Sequence, residues 1–231
     1  MQIFIGYEPR EHEAYCACVA SIKHRWHSVV RITPLILDQL RKRGLYWRPT
    51  EIRDGRLWDS ISDAGMSTEF AISRFLVPHL AGSGYALFID CDIMARVDIA
   101  YIMDHVEPRH AVTCVKHNFA PPECVKMDGQ LQQLYARKNW SSVMVFNCSH
   151  PANRALTVDM VNTVPGRDLH RFAWLDDSEI GALPAEWNFL VGHTKLPQGV
   201  EPKLVHWTDG CPCMPGFENV PFADEYRDEL L

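Results

Sequence analysis

The chain has 231 residues, is 47% hydrophobic and 23% charged, and carries a formal net charge of -6. That length supports one core or two small ones, and the balance is that of an ordinary globular protein. The acidic excess argues against a duplex nucleic-acid partner, which needs a basic face, and no apolar stretch reaches the roughly 18 residues that span a membrane.

In chain order, residues 2–6 form a short apolar strand that ends at Gly6. The run after Gly6 turns acidic too soon for an export signal, so a cytoplasmic setting with the 8 cysteines reduced is expected. Residues 10–25 lack Gly and Pro and space Ala14, Ala17, Cys18 and Ile22 by three and four, which predicts a helix. A β-branched apolar run predicts a second strand over 29–36. Residues 41–66 begin basic, become rich in Trp, Gly and Asp, and read as loop with helical pieces. A helix is expected over 68–80, opened by Ser67 or Thr68 with Glu69 in its first turn.

Residues 85–89 are a third strand. Further strands are expected at 110–115, 141–147 and 203–207, and helices at 151–163 and 176–183. Alternating strands and helices predict a single α/β domain around a mostly parallel sheet. Ligands of such sheets lie beyond the carboxyl ends of the strands, where Gly6 and Asp90 both stand. Cys16/Cys18 and Cys211/Cys213 are spaced Cys-x-Cys, without the four finger-spaced ligands that zinc requires, and read as free thiols.

The stretch Tyr85-Ala86-Leu87-Phe88-Ile89-Asp90-Cys91-Asp92 carries the chemistry. Side chains alternate in an extended chain, so Asp90 and Asp92 point the same way at the end of a buried strand. Two carboxylates so placed suit a hard divalent cation, and such a cation is commonly completed by phosphate oxygens. The same spacing also fits a simple turn. His206 stands at the end of the late strand, and an imidazole added to two carboxylates favours Mn2+ over Mg2+.

Three blocks carry a family resemblance. The first is Ala71-Ile72-Ser73-Arg74-Phe75-Leu76-Val77-Pro78 followed by Asp90-Cys91-Asp92, and the second is Asn139-Trp140-Ser141-Ser142-Val143-Met144-Val145-Phe146-Asn147. The third runs from Asp176-Asp177-Ser178-Glu179 through Leu183-Pro184-Ala185-Glu186-Trp187-Asn188 to His206 and Gly210. Together they resemble glycosyltransferase family 8, retaining nucleotide-sugar transferases. The resemblance implies a GT-A fold, a UDP-sugar donor, a hydroxyl acceptor such as a saccharide, and Mn2+ or Mg2+. It implies a nucleotide-binding half over 1–95 and a sugar and acceptor half over 96–231. Asp90, Asp92 and His206 would hold the metal. Arg74 would contact the donor, Gly6, Tyr7 and Tyr15 the nucleotide, and Asp177 the transferred sugar. The chain departs from the family at Ser178, at Ser141-Ser142, and at Gly210-Cys211-Pro212-Cys213, where a lysine is expected.

Bare aspartates oppose such a donor. A carboxylate about 4 Å from a phosphate charge costs roughly 4 kcal/mol at an effective dielectric of about 20, and a divalent ion reverses that sign. Arg74 offers a planar fork of donors to phosphate or sugar. Asp177 reads equally as a helix cap beside Asp176. The amides and aromatics of Lys126–Tyr135 suit sugar binding, though an amphipathic surface helix explains them better; Trp47, Trp58, Arg48, Arg53 and Arg56 suit an acceptor-side lid, and a partly buried surface loop explains them as well. Two alternatives stay open: a sugar nucleotidyltransferase, and a nucleotide-sugar-binding protein without turnover.

Overall fold

Long apolar runs bounded by turn residues build the centre of the computed structural model, which describes residues 1–26, 31–117, 137 and 139–231. The first strand, β1 (Gln2–Gly6), leads through a short 3-10 turn into helix α1 (His12–Arg25). Strand β2 (Ile32–Leu35) and helix α2 (Leu37–Lys42) follow, then three short strands, β3 (Thr50–Arg53), β4 (Arg56–Asp59) and β5 (Ala64–Gly65). Helix α3 (Val77–Ala81), β6 (Tyr85–Ile89), β7 (Ile93–Ala95), β8 (Val112–Val115) and β9 (Val143–Asn147) come next. The chain ends with α4 (Val158–Thr163), α5 (Gly166–His170), β10 (Ile180–Leu183), β11 (Phe189–Leu190), β12 (Leu204–His206) and α6 (Ala223–Asp228).

The central sheet has six strands in the order β10-β8-β9-β6-β1-β2. β1 pairs in parallel with β2 and β6, and β8 with β10, while β9 runs against both β6 and β8. The sheet is therefore parallel except for β9, and the carboxyl ends of β1, β6 and β8 share one edge. In β6, Ala86 to Ile89 are shielded on both faces, the pattern of a central strand. α1 buries Ala14, Ala17, Cys18, Ser21 and Ile22, the three-and-four stripe expected of it. Its small side chains bring it close enough to β7 for the Ser21 hydroxyl to accept the Ala95 N–H at 3.0 Å. Each large apolar side chain removed from water contributes about 1.5–3 kcal/mol, and the core runs continuously from Ile3 to Leu204.

Several expected elements are corrected. Residues 41–66 hold the three-stranded antiparallel sheet β3-β4-β5, not a loop with helical pieces. Asp54 and Gly55 both adopt positive φ (50° and 75°) between β3 and β4, as a tight two-residue hairpin turn demands. Over 68–80, a 3-10 turn at Ser73–Leu76 precedes α3, and no helix starts at Ser67 or Thr68. There the Glu69 N–H donates to the Glu8 carboxylate at 3.0 Å, so a long-range bond replaces the helical one. Over 151–163 a 3-10 turn precedes the short α4.

The capping box at Asp176 and Glu179 forms, yet the turn it opens ends at Glu179. Ile180–Leu183 is instead the edge strand β10 beside β8. Residues 29 and 30 of the expected second strand lie outside the described residues, as does Lys126–Tyr135. The described cysteines are free, and among the described residues no helix is long and apolar enough to cross a membrane.

Candidate active site

β6 ends at Ile89, and the turn Asp90-Cys91-Asp92 passes the chain into β7, which leaves the central sheet for a three-stranded one with β12 and β11. In that small sheet His206 pairs with Ile93 and the Trp207 N–H donates to the Asp92 carbonyl at 3.2 Å. The register therefore sets the last residue of β12 beside the second aspartate, 114 positions away in sequence (206 minus 92). One ligand atom from each of Asp90, Asp92 and His206 lies within 4.8 Å of the other two.

Hydrogen bonds fix which face His206 presents. Its Nδ1 donates to Asn188 Oδ1 at 2.9 Å, and Asn188 Nδ2 in turn donates to the Ser142 hydroxyl at 2.8 Å. Nε2 is left as the lone-pair nitrogen, 3.4 Å from Asp92 Oδ1, an oxygen that is buried and makes no hydrogen bond among the described residues. Two acceptors facing each other need a cation or a proton between them. Burial pulls the His206 pKa down, but the Asp92 and Asp90 carboxylates outweigh it and the net shift is upward. A bound divalent cation would take the proton's place, and two carboxylates with one oriented imidazole suit Mn2+ or a similar ion.

Arg74 joins the cluster. Its Nη1 lies 2.8 Å from Asp90 Oδ1 and donates to the Ser141 carbonyl at 2.8 Å. The guanidinium sits 4.9 Å from the Phe88 ring centre and 5.2 Å from that of Phe70. Gly6 makes room for this arrangement, because a Cβ there would fall 2.4 Å from the Phe70 ring. Gly6 thus packs against the Phe70 ring that lies beneath Arg74. Arg74 Nε is buried without a partner among the described residues. The Ser141 hydroxyl donates to His170 Nδ1 at 2.7 Å, and burial together with Arg74 pushes His170 down to about 3, so that ring is a neutral acceptor.

Beyond β1, the rings of Tyr7 and Tyr15 meet edge to face at 5.2 Å, and the Tyr7 hydroxyl lies 3.2 Å from His12 Nδ1. Asp177 opens the turn before β10. Its side chain is 88% exposed, and it pairs with Arg137. Of the lid candidates, Arg48 is buried in an ion pair with Asp59, Arg53 stacks on Trp58 at 4.4 Å, and Trp47 is half exposed.

Sequence reasoning missed three residues. Asn188 stood in a quoted block without a role. Glu11 accepts a hydrogen bond from the Cys91 thiol at 3.2 Å, and burial first, then Asp92, raises its pKa to about 7. His117, just past β8, lies near enough to His206 to feel its charge. Only Asn188 carried a signal, being an amide at a strand entrance; the others depend on chain crossings.

No family model matches the chain. Among solved structures it is similar to the galactosyltransferase LgtC, determined in complex with donor and acceptor sugar analogues (TM-score 0.57, 10% identity, 99% of this chain and 95% of that one). It is also similar to the glycosyltransferase GlyE of Streptococcus pneumoniae TIGR4 (0.62, 12%, 100% and 60%) and the bifunctional glycosyltransferase WbbM (0.61, 15%, 99% and 51%). The chain thus spans about half of WbbM and 60% of GlyE. These likenesses define a glycosyltransferase fold of the GT-A type. Among curated proteins, Protein CDI of Arabidopsis thaliana is 45% identical over 233 residues, covering 99% of this chain and 85% of that protein. On that identity and coverage, the chain belongs to the family of Protein CDI.

Proposed function

We propose that the protein is a metal-dependent glycosyltransferase of the family 8 type, moving a hexose from a UDP-sugar to a hydroxyl acceptor such as a saccharide, with retention of configuration. The observation that carries this is His206 Nε2 held 3.4 Å from an Asp92 oxygen that makes no hydrogen bond among the described residues, on a glycosyltransferase fold. Asp90, Asp92 and His206 hold the cation, Mn2+ or Mg2+. When bound, that ion supplies Lewis-acid stabilisation of the charge on the departing diphosphate, a contribution of several kcal/mol.

Tyr7 and Tyr15, past the end of β1, offer aromatic faces and a hydroxyl to the nucleotide in the 1–95 half. Arg74, anchored at one nitrogen by Asp90 and Ser141, has its Nε left for phosphate or sugar. Asp177, in the 96–231 half, is assigned to the sugar, with Arg137 as its counter-ion until donor binds. A cytoplasmic location fits the free cysteines.

A second reading, a nucleotide-sugar-binding protein without turnover, draws on the pairing of Asp177 with Arg137. Release of UDP from UDP-glucose and UDP-galactose, with the sugar passing to water or to a hydroxyl of an added saccharide, measured with Mn2+, with Mg2+ and with chelator, separates the two. The expected result is metal-dependent release that Asp92→Asn lowers by about 100-fold or more while unfolding stays cooperative. Release unaffected by chelator refutes the metal role, and tight metal-dependent binding without release establishes the second reading.

A further inference from the structure

We propose that His117 recognises the sugar carried by the donor, hydrogen-bonding one of its hydroxyls on the far side of the metal from the nucleotide. This rests on the glycosyltransferase reading above and assigns a residue to the sugar end of that site.

His117 follows β8, and β8 and β6 both run antiparallel to β9 between them, so their carboxyl ends share the edge where Asp90 stands. Its backbone is fixed twice: the N–H donates to the Val115 carbonyl at 3.0 Å, and the carbonyl accepts the Trp140 indole N–H at 2.9 Å. The ring nitrogen Nε2 is buried and makes no hydrogen bond among the described residues. An unmade hydrogen bond on a buried polar atom costs about 1–3 kcal/mol, and a ligand that supplies the missing partner is one way to recover it. Arg74 Nε and Asp92 Oδ1 share that deficit around the aspartate pair.

The chemistry of the ring selects the partner. Burial, with His206 second, pushes the His117 pKa down to about 4, so the imidazole is neutral near pH 7. A neutral ring is a poor counter-charge for a diphosphate. It suits a hydroxyl, which donates and accepts by turns. Sheet order supports the same choice. Tyr7 follows β1, the aspartates follow β6, and His117 follows β8 beyond β9, the spatial order of nucleotide, diphosphate and sugar along one donor.

The test is calorimetric titration of the Mn2+-loaded protein with UDP, UDP-glucose and UDP-galactose, for wild type, His117→Ala and His117→Gln. The wild type should bind one UDP-sugar more tightly than UDP. In His117→Ala the affinity for that UDP-sugar should fall about five- to tenfold while UDP changes by less than about twofold, the scale of one hydrogen bond. His117→Gln, which keeps a donor and an acceptor, should recover part of the loss and serves if the alanine variant folds poorly. An unchanged ratio of UDP-sugar to UDP affinity in both variants overturns the assignment and leaves the transferase reading standing. Equal weakening of UDP and UDP-sugar overturns it in favour of support for the metal or diphosphate. A wild type that binds neither UDP nor UDP-sugar overturns both readings.

Discussion

Two buried arginines answer the same physical problem in opposite ways. Arg48 makes a double bond pair with Asp59, Nε to Oδ1 at 2.7 Å and Nη2 to Oδ2 at 2.6 Å. Its remaining donors reach the Val161 and Val164 carbonyls at 3.0 and 2.7 Å and the Ser62 hydroxyl at 3.0 Å. Asp59 also accepts the N–H groups of Ile61 and Ser62, and although burial works against its ionisation, these partners hold its pKa below the usual range. Arg74, by contrast, leaves Nε unmade beside an aspartate pair whose Asp92 Oδ1 is also unmade among the described residues. A saturated pair fastens one piece of chain to another; here it ties β4 to the end of α4. A cluster short of hydrogen bonds among the described residues is open to a ligand that would supply them.

The largest expected effect breaks the saturated pair. Arg48→Met leaves Asp59 buried without its counter-ion and should lower unfolding free energy by about 3–5 kcal/mol in urea, while the folded fraction keeps wild-type affinity for Mn2+. A loss below about 1 kcal/mol would show that the pair is no anchor.

The next effect falls on the unsaturated cluster. Asn188→Ala removes the acceptor that fixes the His206 ring, and Mn2+ affinity by titration calorimetry should drop about tenfold, the usual scale for a residue that orients a ligand. Unchanged affinity would mean that the ring orientation does not matter to the metal.

The smallest effect concerns Glu11. Its folded pKa, about 7, lies above the ordinary 4.5, so the folded state keeps a proton that the unfolded state releases between those values. Its contribution to stability is present below about pH 4.5 and is lost as pH rises toward 7. Glu11→Gln abolishes that loss, so without metal the variant should gain on the wild type by on the order of 1 kcal/mol across the window. The difference between the two proteins is the readout, because His117 and His170, both shifted down, tilt the wild-type profile the other way. A difference that stays flat with pH would contradict the burial of Glu11 beside the Asp92 carboxylate.

What the sequence disclosed follows the range of the forces involved. β6 was legible because a continuous apolar run ends abruptly at Asp90, and α1 because its small buried residues repeat with helical spacing. The cluster of Asp90, Asp92 and His206 was legible as residue types at strand ends, with the family resemblance supplying the grouping. The direction of β9 was not legible, since pairing direction leaves no mark on a buried apolar run. The β3–β4 hairpin was legible in Asp54-Gly55 and was missed because flanking arginines and tryptophan obscured the alternation. Glu11 and His117 came near Asp92 and His206 only when α1 packed across the turn at Cys91 and β8 came alongside β9, events that no local pattern encodes.

The most direct measurement is an anomalous difference map at the manganese absorption edge, from crystals grown with Mn2+ and UDP. The account predicts a single strong peak about 2.0–2.3 Å from a carboxylate oxygen of Asp90, one of Asp92, and His206 Nε2, with diphosphate oxygens completing the shell. A map with UDP bound and no peak among those three side chains would contradict it.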